Sequence, residues 1–317
     1  MENWGQADLS DKTRSGRPVT ESDHLHQDRV KKLIHRNHRI EQKETAVALG
    51  ISKERVGHII GVLGFRKVCA RWVLRMLSDE MKVERVCISQ EFLERSKKGG
   101  EDFLINIITG DEAWVHHYDP ANKRQSMEYR HKETPQPKKF KTQASAGKVM
   151  LTVFWNLERV ALADFLEKET TINSQHYIET LTALKRRIKW VRKRNETLLQ
   201  HDNARPHTSA ATRDAIQRLD FSVPPHPPYS PDLAQSDFHL LPKLKEYLKG
   251  QHFSCDEELK SAMRKWFQKQ NTDFLKDGFQ KLVQHWQKCI EVHGDFVKNN
   301  YATLKINDVG IFLFLFH

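Results

Sequence analysis

Three aspartates have the setting and spacing of a metal-ion site. Asp111 lies in "ITGDEAW", Asp202 in "LLQHDNARPHTS" and Asp237 in "HPPYSPDLAQSDFHLL", with 34 residues between the second and third. Apolar runs lead up to Asp111 and Asp202, so both are expected at strand ends. Asp237 is expected to begin a helix just past a proline-rich loop. Rigid backbone at such places can project carboxylates into a crevice. Hard oxygen ligands of this kind select Mg²⁺ or Mn²⁺. Two such ions roughly 3.5–4 Å apart activate a water and stabilise the leaving oxygen in phosphodiester cleavage. They also hold together acids that would otherwise repel. A plainer reading stays open: among 41 acids, three can always be found that serve as caps or surface charges. Asp237, following Ser236, suits a helix N-terminus.

The surrounding patterns describe what must carry these acids. "DFLINIITGDEAWVHHYD" is an apolar, β-branched run expected to stop at Gly110-Asp111-Glu112. "RQSMEYR" and "GKVMLTVFWN" read as two more strands, "ALADFLEKE" as a fourth, and "ETLLQHD" as a short strand ending at Asp202. "SQHYIETLTALKRRIKWVRKR" reads as a long helix, and "TSAATRDAIQRL", "SDFHLLPKLKEYLKG", "DEELKSAMRKWFQKQ" and "FQKLVQHWQKCIEVHG" as further ones. Strands followed by alternating helices predict a mixed α/β domain over 101–298. Trp114, Trp155, Trp266 and Trp286 are expected in its core.

Ahead of it the pattern is helical. Residues 1–24 read as a linker or arm. Its "SGRP" stretch could lay Arg17 in a minor groove, where negative potential draws arginine, or be a plain flexible linker. Residues 25–66 predict three short helices, with Gly50 as a turn and Ser52 as an N-cap. That is the layout of a helix-turn-helix, and its third helix would turn Lys53, Arg55 and His58 toward DNA. From 24 to 75 there are 12 Lys/Arg and 4 Asp/Glu. A structural three-helix bundle with a solvated basic face is the alternative. Residues 67–100 are expected to be a charged helical bridge ending at "KKGG".

The formal net charge of +11 and a pI near 9.4 point to a polyanionic partner, above all double-stranded DNA. "KRRIKWVRKR" (185–194) has seven Lys/Arg in ten residues; it could track a DNA backbone or be a solvated helix face. The four cysteines form no C-x-x-C pair, which argues against a disulfide framework and for a reducing compartment. The apolar end "VGIFLFLFH" is far short of the roughly 20 residues of a membrane span. The expectation is a soluble nuclear protein with no membrane association and no small organic cofactor.

The blocks themselves resemble a family. "TGDEAWVHHYDP", "HDNARPHTS" and "HPPYSPDLAQSDFHLLPKLKEYLKG" are similar to the signature blocks of mariner transposases, and the 34-residue gap resembles that family's D-D-34-D arrangement. "RQSMEYRHKETPQPKKFK", "KVMLTVFWN", the late "WFQKQ…FLKDGFQKLVQHWQKCIEVHGDF" and "SGRP" extend the resemblance over roughly 8–298. It implies an RNase H-like catalytic domain behind a helix-turn-helix, a DNA partner, a homodimer, and two-metal strand cleavage and transfer. Asp111, Asp202 and Asp237 would be the metal ligands. Asn203, Arg205 and His207 would shape the site or hold DNA phosphates, loop-structuring hydrogen bonds being the alternative. Pro227, Pro228 and Pro231 would stiffen the approach to Asp237.

The sequence departs from the family in places. It begins at what resembles the linker between two tandem helix-turn-helix modules. Leu74 and Arg75 stand where the family's "WVPHxL" segment has Pro and His, and 299–317 have no family counterpart. These departures leave a second expectation beside the transposase: a domesticated or degenerate DNA-binding derivative, with a role such as DNA repair.

Overall fold

A computed structural model describes residues 24–297, apart from 70–72, 124, 136, 139, 141, 167–170 and 190–196. Arg17, Trp190 and the tail from 299 therefore lie outside the described residues. The chain divides into two units, Met1–Arg71 and Trp72–His317.

In the first unit, three helices pack around fully buried Val30, Val56 and Ile59. They are α1 (His24–Arg36), α2 (Gln42–Leu49) and α3 (Lys53–Val62). Gly50 ends α2 with φ +67°, a left-handed conformation that glycine adopts without strain. Ser52 then caps α3 by accepting from the Arg55 amide at 3.2 Å. Lys53 and His58 are exposed and Arg55 is half-buried.

The second unit opens with α4 (Asp79–Asn106). Residues 73–78, expected to be helical, are not, and Ser78 caps α4 by accepting from the Met81 amide. Within it Gly100 has non-helical backbone (φ 56°, ψ −139°), so two helices meet across a kink at the break expected at Gly99-Gly100.

β1 (Ile107–His116) follows directly. β2 is Lys148–Trp155, β3 is Val160–Phe165 and β4 is Leu198–Gln200. They form a four-stranded sheet in the order β3-β2-β1-β4. β1–β2 and β2–β3 are antiparallel and β1–β4 is parallel. Asp111 was expected to end a strand, but it lies inside β1, because pairing with β2 continues from Thr109↔Trp155 to His116↔Lys148. "RQSMEYR" is not a strand in its described residues. No neighbouring chain pairs with it, and Met127 and Tyr129 are exposed.

Strand alternation sorts the core onto two faces. On one face, Ala113, Val115, Leu151, Val153 and Trp155 join a cluster with Phe92 of α4. That cluster also takes in residues of α8 (Leu241–Leu248), α9 (Asp256–Lys269) and α10 (Thr272–Glu291). On the other face, Ile108, Met150, Phe154 and Leu199 pack with Tyr177, Leu181 and Leu184 of α5 (Ser174–Lys189) and Ile216 of α7 (Ala210–Arg218). Helices on both faces explain why β2 is buried at every residue after Lys148. Trp155, Trp266 and Trp286 are buried as expected. Trp114 is only half-buried, with the Lys148 ammonium 4.2 Å above its ring.

Candidate active site

The parallel pair β1–β4 sets two of the acids side by side. Its last paired residues are Thr109 and Gln200, so Asp111 and Asp202 each stand two positions further along neighbouring strands. Gly110, just before Asp111, lies under the Phe154 ring, where a Cβ would collide with the ring edge. The acid's approach therefore requires glycine at 110.

The third acid arrives on a single π-helical turn, Ser236–Leu240, that leads into α8. Such turns recur at functional sites. Ser236 docks this turn on the sheet: its hydroxyl accepts from Trp155 Nε1 at 2.9 Å and lies 3.4 Å from Thr109 Oγ1. Asp237 is thereby brought beside Asp111. Both residues are half-buried. Burial first, and then the charge of Asp237, push the Asp111 carboxyl well above the usual range. Burial and the charge of Asp202 push Asp237 up to about 7. Asp237 thus opposes the ionisation of Asp111, and Asp202 opposes that of Asp237.

Asp202 is in the opposite state. Burial works against its charge, but the hydrogen bond and positive charge of His207 outweigh it and hold the pKa at about 2. Asp202 Oδ1 accepts from the Ala204 amide at 3.0 Å and from His207 Nδ1 at 2.6 Å. His207 lies on the short helix α6 (Arg205–Thr208) and is 4% exposed. Its Nε2 faces Glu112 Oε1 at 3.3 Å. Burial opposes the imidazolium, yet the Glu112 charge and the Asp202 bond raise its pKa to about 10. Tyr177 packs on this ring at 4.0 Å between centroids and hydrogen-bonds His201 Nδ1 at 2.9 Å. Burial and the neighbouring His207 charge lower His201 to about 3.

His207 was expected among residues that could hold DNA phosphates. It was equally expected to shape the site, and its ring is buried with both nitrogens facing carboxylates. Asn203 likewise structures its loop, donating to the His226 carbonyl at 2.8 Å. Arg205 is exposed. Glu112 and His201 sit inside the signature blocks but one step from an aspartate, on the other face of the sheet, and Tyr177 of α5 carries no motif signal, so none is singled out by sequence.

Two arginines fix the loop before Asp237, and sequence reasoning did not find this role for either. Arg85 of α4 binds Asp232 and Ser230. Arg75 donates to the Tyr229 hydroxyl at 2.7 Å and lies 4.8 Å over its ring. The segment 229–232 is thus gripped from one side of the unit.

Among the described residues, no three His, Cys, Asp or Glu side chains form a ready-made metal cluster. Asp202 lies close enough to act on both Asp111 and Asp237, whose carboxyl groups are raised by burial and neighbouring negative charge. An all-oxygen donor set whose members resist joint ionisation fits a hard divalent cation.

A mixed β3-β2-β1-β4 sheet between helices, with an acid from each of two parallel neighbours and a third from a following helix, defines an RNase H-like catalytic domain. The family profile described as "Transposase (partial DDE domain)" matches residues 119–198. The chain is 30% identical over 264 residues to the mariner Mos1 transposase of Drosophila mauritiana, covering 81% of this chain and 74% of that protein. It belongs to the mariner transposase family.

It is also 31% identical over 297 residues to the human histone-lysine N-methyltransferase SETMAR, covering 92% of this chain. It spans 42% of that protein's length. Among solved structures, the Mos1 mariner paired-end complex with Mn superposes with a TM-score of 0.75 at 29% identity, over 91% of this chain and 83% of that one. The Mos1 catalytic domain gives 0.59 at 29% identity, over 72% of this chain and all of that one.

Proposed function

We propose that the chain cuts DNA and transfers its strands as a mariner-type transposase, with Asp111, Asp202 and Asp237 as its catalytic acids. The observation that supports this reading is that Asp202, just past β4, acts on both Asp111 of β1 and Asp237 of the π turn, and Asp237 acts on Asp111. Solved Mos1 complexes with Mn and with Mg support a requirement for Mg²⁺ or Mn²⁺. Two such ions supply an activated water and neutralise the leaving oxygen. The protein's part would be to present the carboxylates of Asp111, Asp202 and Asp237 that would hold these ions, with His207 holding the Asp202 carboxyl low. In the overall reaction water adds to a phosphodiester phosphorus and a deoxyribose oxygen leaves. The freed 3′-hydroxyl then attacks a target phosphorus, forming a new phosphodiester as the target strand's own 3′-oxygen leaves with the proton.

Double-stranded DNA would be held by Lys53, Arg55 and His58 of α3, with Arg17 in the preceding arm and Arg205 beside the acids. The paired-end complexes of Mos1 support a homodimer on DNA, and the nucleus is where such an activity meets chromosomes. The likeness to SETMAR favours a second reading, a transposase-derived DNA-binding protein without full transposition.

Cleavage of supercoiled plasmid with Mg²⁺ or Mn²⁺, beside Asp202→Ala and Asp237→Ala, tests the first reading. Metal-dependent nicking lost in both variants is expected. Equal traces from all three proteins, with salt-sensitive DNA binding intact, would retire the enzyme and leave the second reading.

A further inference from the structure

The carboxylates on the two faces of the sheet are connected. Asp111 faces the π turn, while the next residue, Glu112, is buried on the opposite face beside the end of α6. His207 spans the gap from there. One ring nitrogen faces Glu112 Oε1 at 3.3 Å and the other donates to Asp202 Oδ1 at 2.6 Å. The ring cannot swing: Tyr177 covers it at 4.0 Å, and His201 lies 5.1 Å away on the same side. Thr212 Oγ1 donates to the Pro206 carbonyl at 2.6 Å, tying α6 to α7. Asp202 itself is 57% exposed in its side chain, so little packing other than this contact restrains its carboxylate.

We propose that Glu112 and His207 form a strut that aims Asp202, making both positioning residues of the catalytic site. The strut runs from β1 to the loop after β4, so the strand that carries Asp111 also sets the orientation of Asp202. Oδ1 is committed to His207 and the Ala204 amide, which leaves Oδ2 as the oxygen for a cation. This inference rests on reading Asp202 as a catalytic acid. Supporting partners of this kind change metal affinity by about 10–100-fold when removed.

The geometry separates the two halves of the strut. His207→Asn places an amide nitrogen near the former Nδ1 and keeps the bond to Asp202 while losing Glu112. His207→Gln reaches the former Nε2 position and keeps Glu112 while losing Asp202. Glu112→Leu removes the far anchor but retains bulk. Mn²⁺ binding by calorimetry and amide hydrogen exchange over 201–208 in the metal-free chain are measured together, with the melting temperature as a check on folding.

The expected order is a loss of about tenfold or more in Mn²⁺ affinity and faster exchange for His207→Gln. Smaller and similar effects are expected for His207→Asn and Glu112→Leu. Combining those two should add nothing further, because both remove one contact. Unchanged exchange and affinity in His207→Gln, or full additivity in the double variant, would overturn the strut. A wild-type chain that binds no Mn²⁺ would overturn the enzymatic reading instead, and the exchange order would still decide whether the strut exists.

Discussion

Arg85 and Asp232 form a two-pronged ion pair, Nη1 to Oδ1 at 3.0 Å and Nη2 to Oδ2 at 2.7 Å. The side chains are 0% and 5% exposed. Arg85 also donates from Nε to the Gly294 carbonyl at 2.8 Å, and Asp232 Oδ2 accepts from the Val297 amide at 2.7 Å. One guanidinium therefore ties α4, the loop leading to Asp237 and the segment after α10. A charge this deep is stable only while every donor is used. Asp232→Asn leaves the arginine uncompensated and should cost about 3–5 kcal/mol, read as a lowered urea midpoint at constant slope.

Asp237→Asn should trade activity for stability. In the metal-free chain the folded Asp237 carboxyl is raised to about 7 from 3.8. The folded state therefore holds the proton more tightly than the unfolded state, and as pH rises through that window ionisation of Asp237 withdraws stability. Asparagine mimics the protonated acid at every pH. The variant should melt higher than wild type at pH 8.5, the difference should shrink by pH 5.5, and plasmid nicking should vanish. Melting curves at the two pH values check the sign.

Gly110→Ala should disturb the site without touching an acid. The new methyl meets the Phe154 ring, which is fully buried and cannot retreat. Overpacking of this kind costs about 1–3 kcal/mol. Combining it with Phe154→Leu should restore part of the lost stability, measured by chemical denaturation.

For DNA binding, Lys53→Ala should weaken affinity and flatten its salt dependence. Each lost phosphate contact lowers the slope of log affinity against log salt by about 0.9. An unchanged slope in fluorescence anisotropy across a salt series would remove Lys53 from the interface.

Local pattern was enough to place much of this protein. β2, β3 and β4 fall on the predicted runs, α5, α7, α8 and α9 lie within theirs, α10 starts seven residues ahead of its run, α6 matches no predicted run, and Gly50 and Ser52 do what their chemistry requires at a turn and a cap. The predicted end of β1 at Gly110-Asp111-Glu112 failed for a tertiary reason: β2 supplies a partner through His116, and a glycine inside a strand is tolerated where a neighbouring ring fills its space. "RQSMEYR" failed the other way, since an alternating pattern does not make a strand unless another chain pairs with it.

The sequence by itself determined the helix and strand repertoire, the basic balance of the chain, and the three aspartates with their mariner-like spacing. Only the tertiary structure decided how those acids differ. Burial and the charge of Asp237 raise the Asp111 carboxyl, while a histidine five residues beyond Asp202, on another element, lowers that one. It also set Glu112 against His207, and Arg85 and Arg75 against the loop before Asp237. Charge states and supporting contacts depend on distances and dielectric between residues far apart in the chain, and no local pattern encodes those.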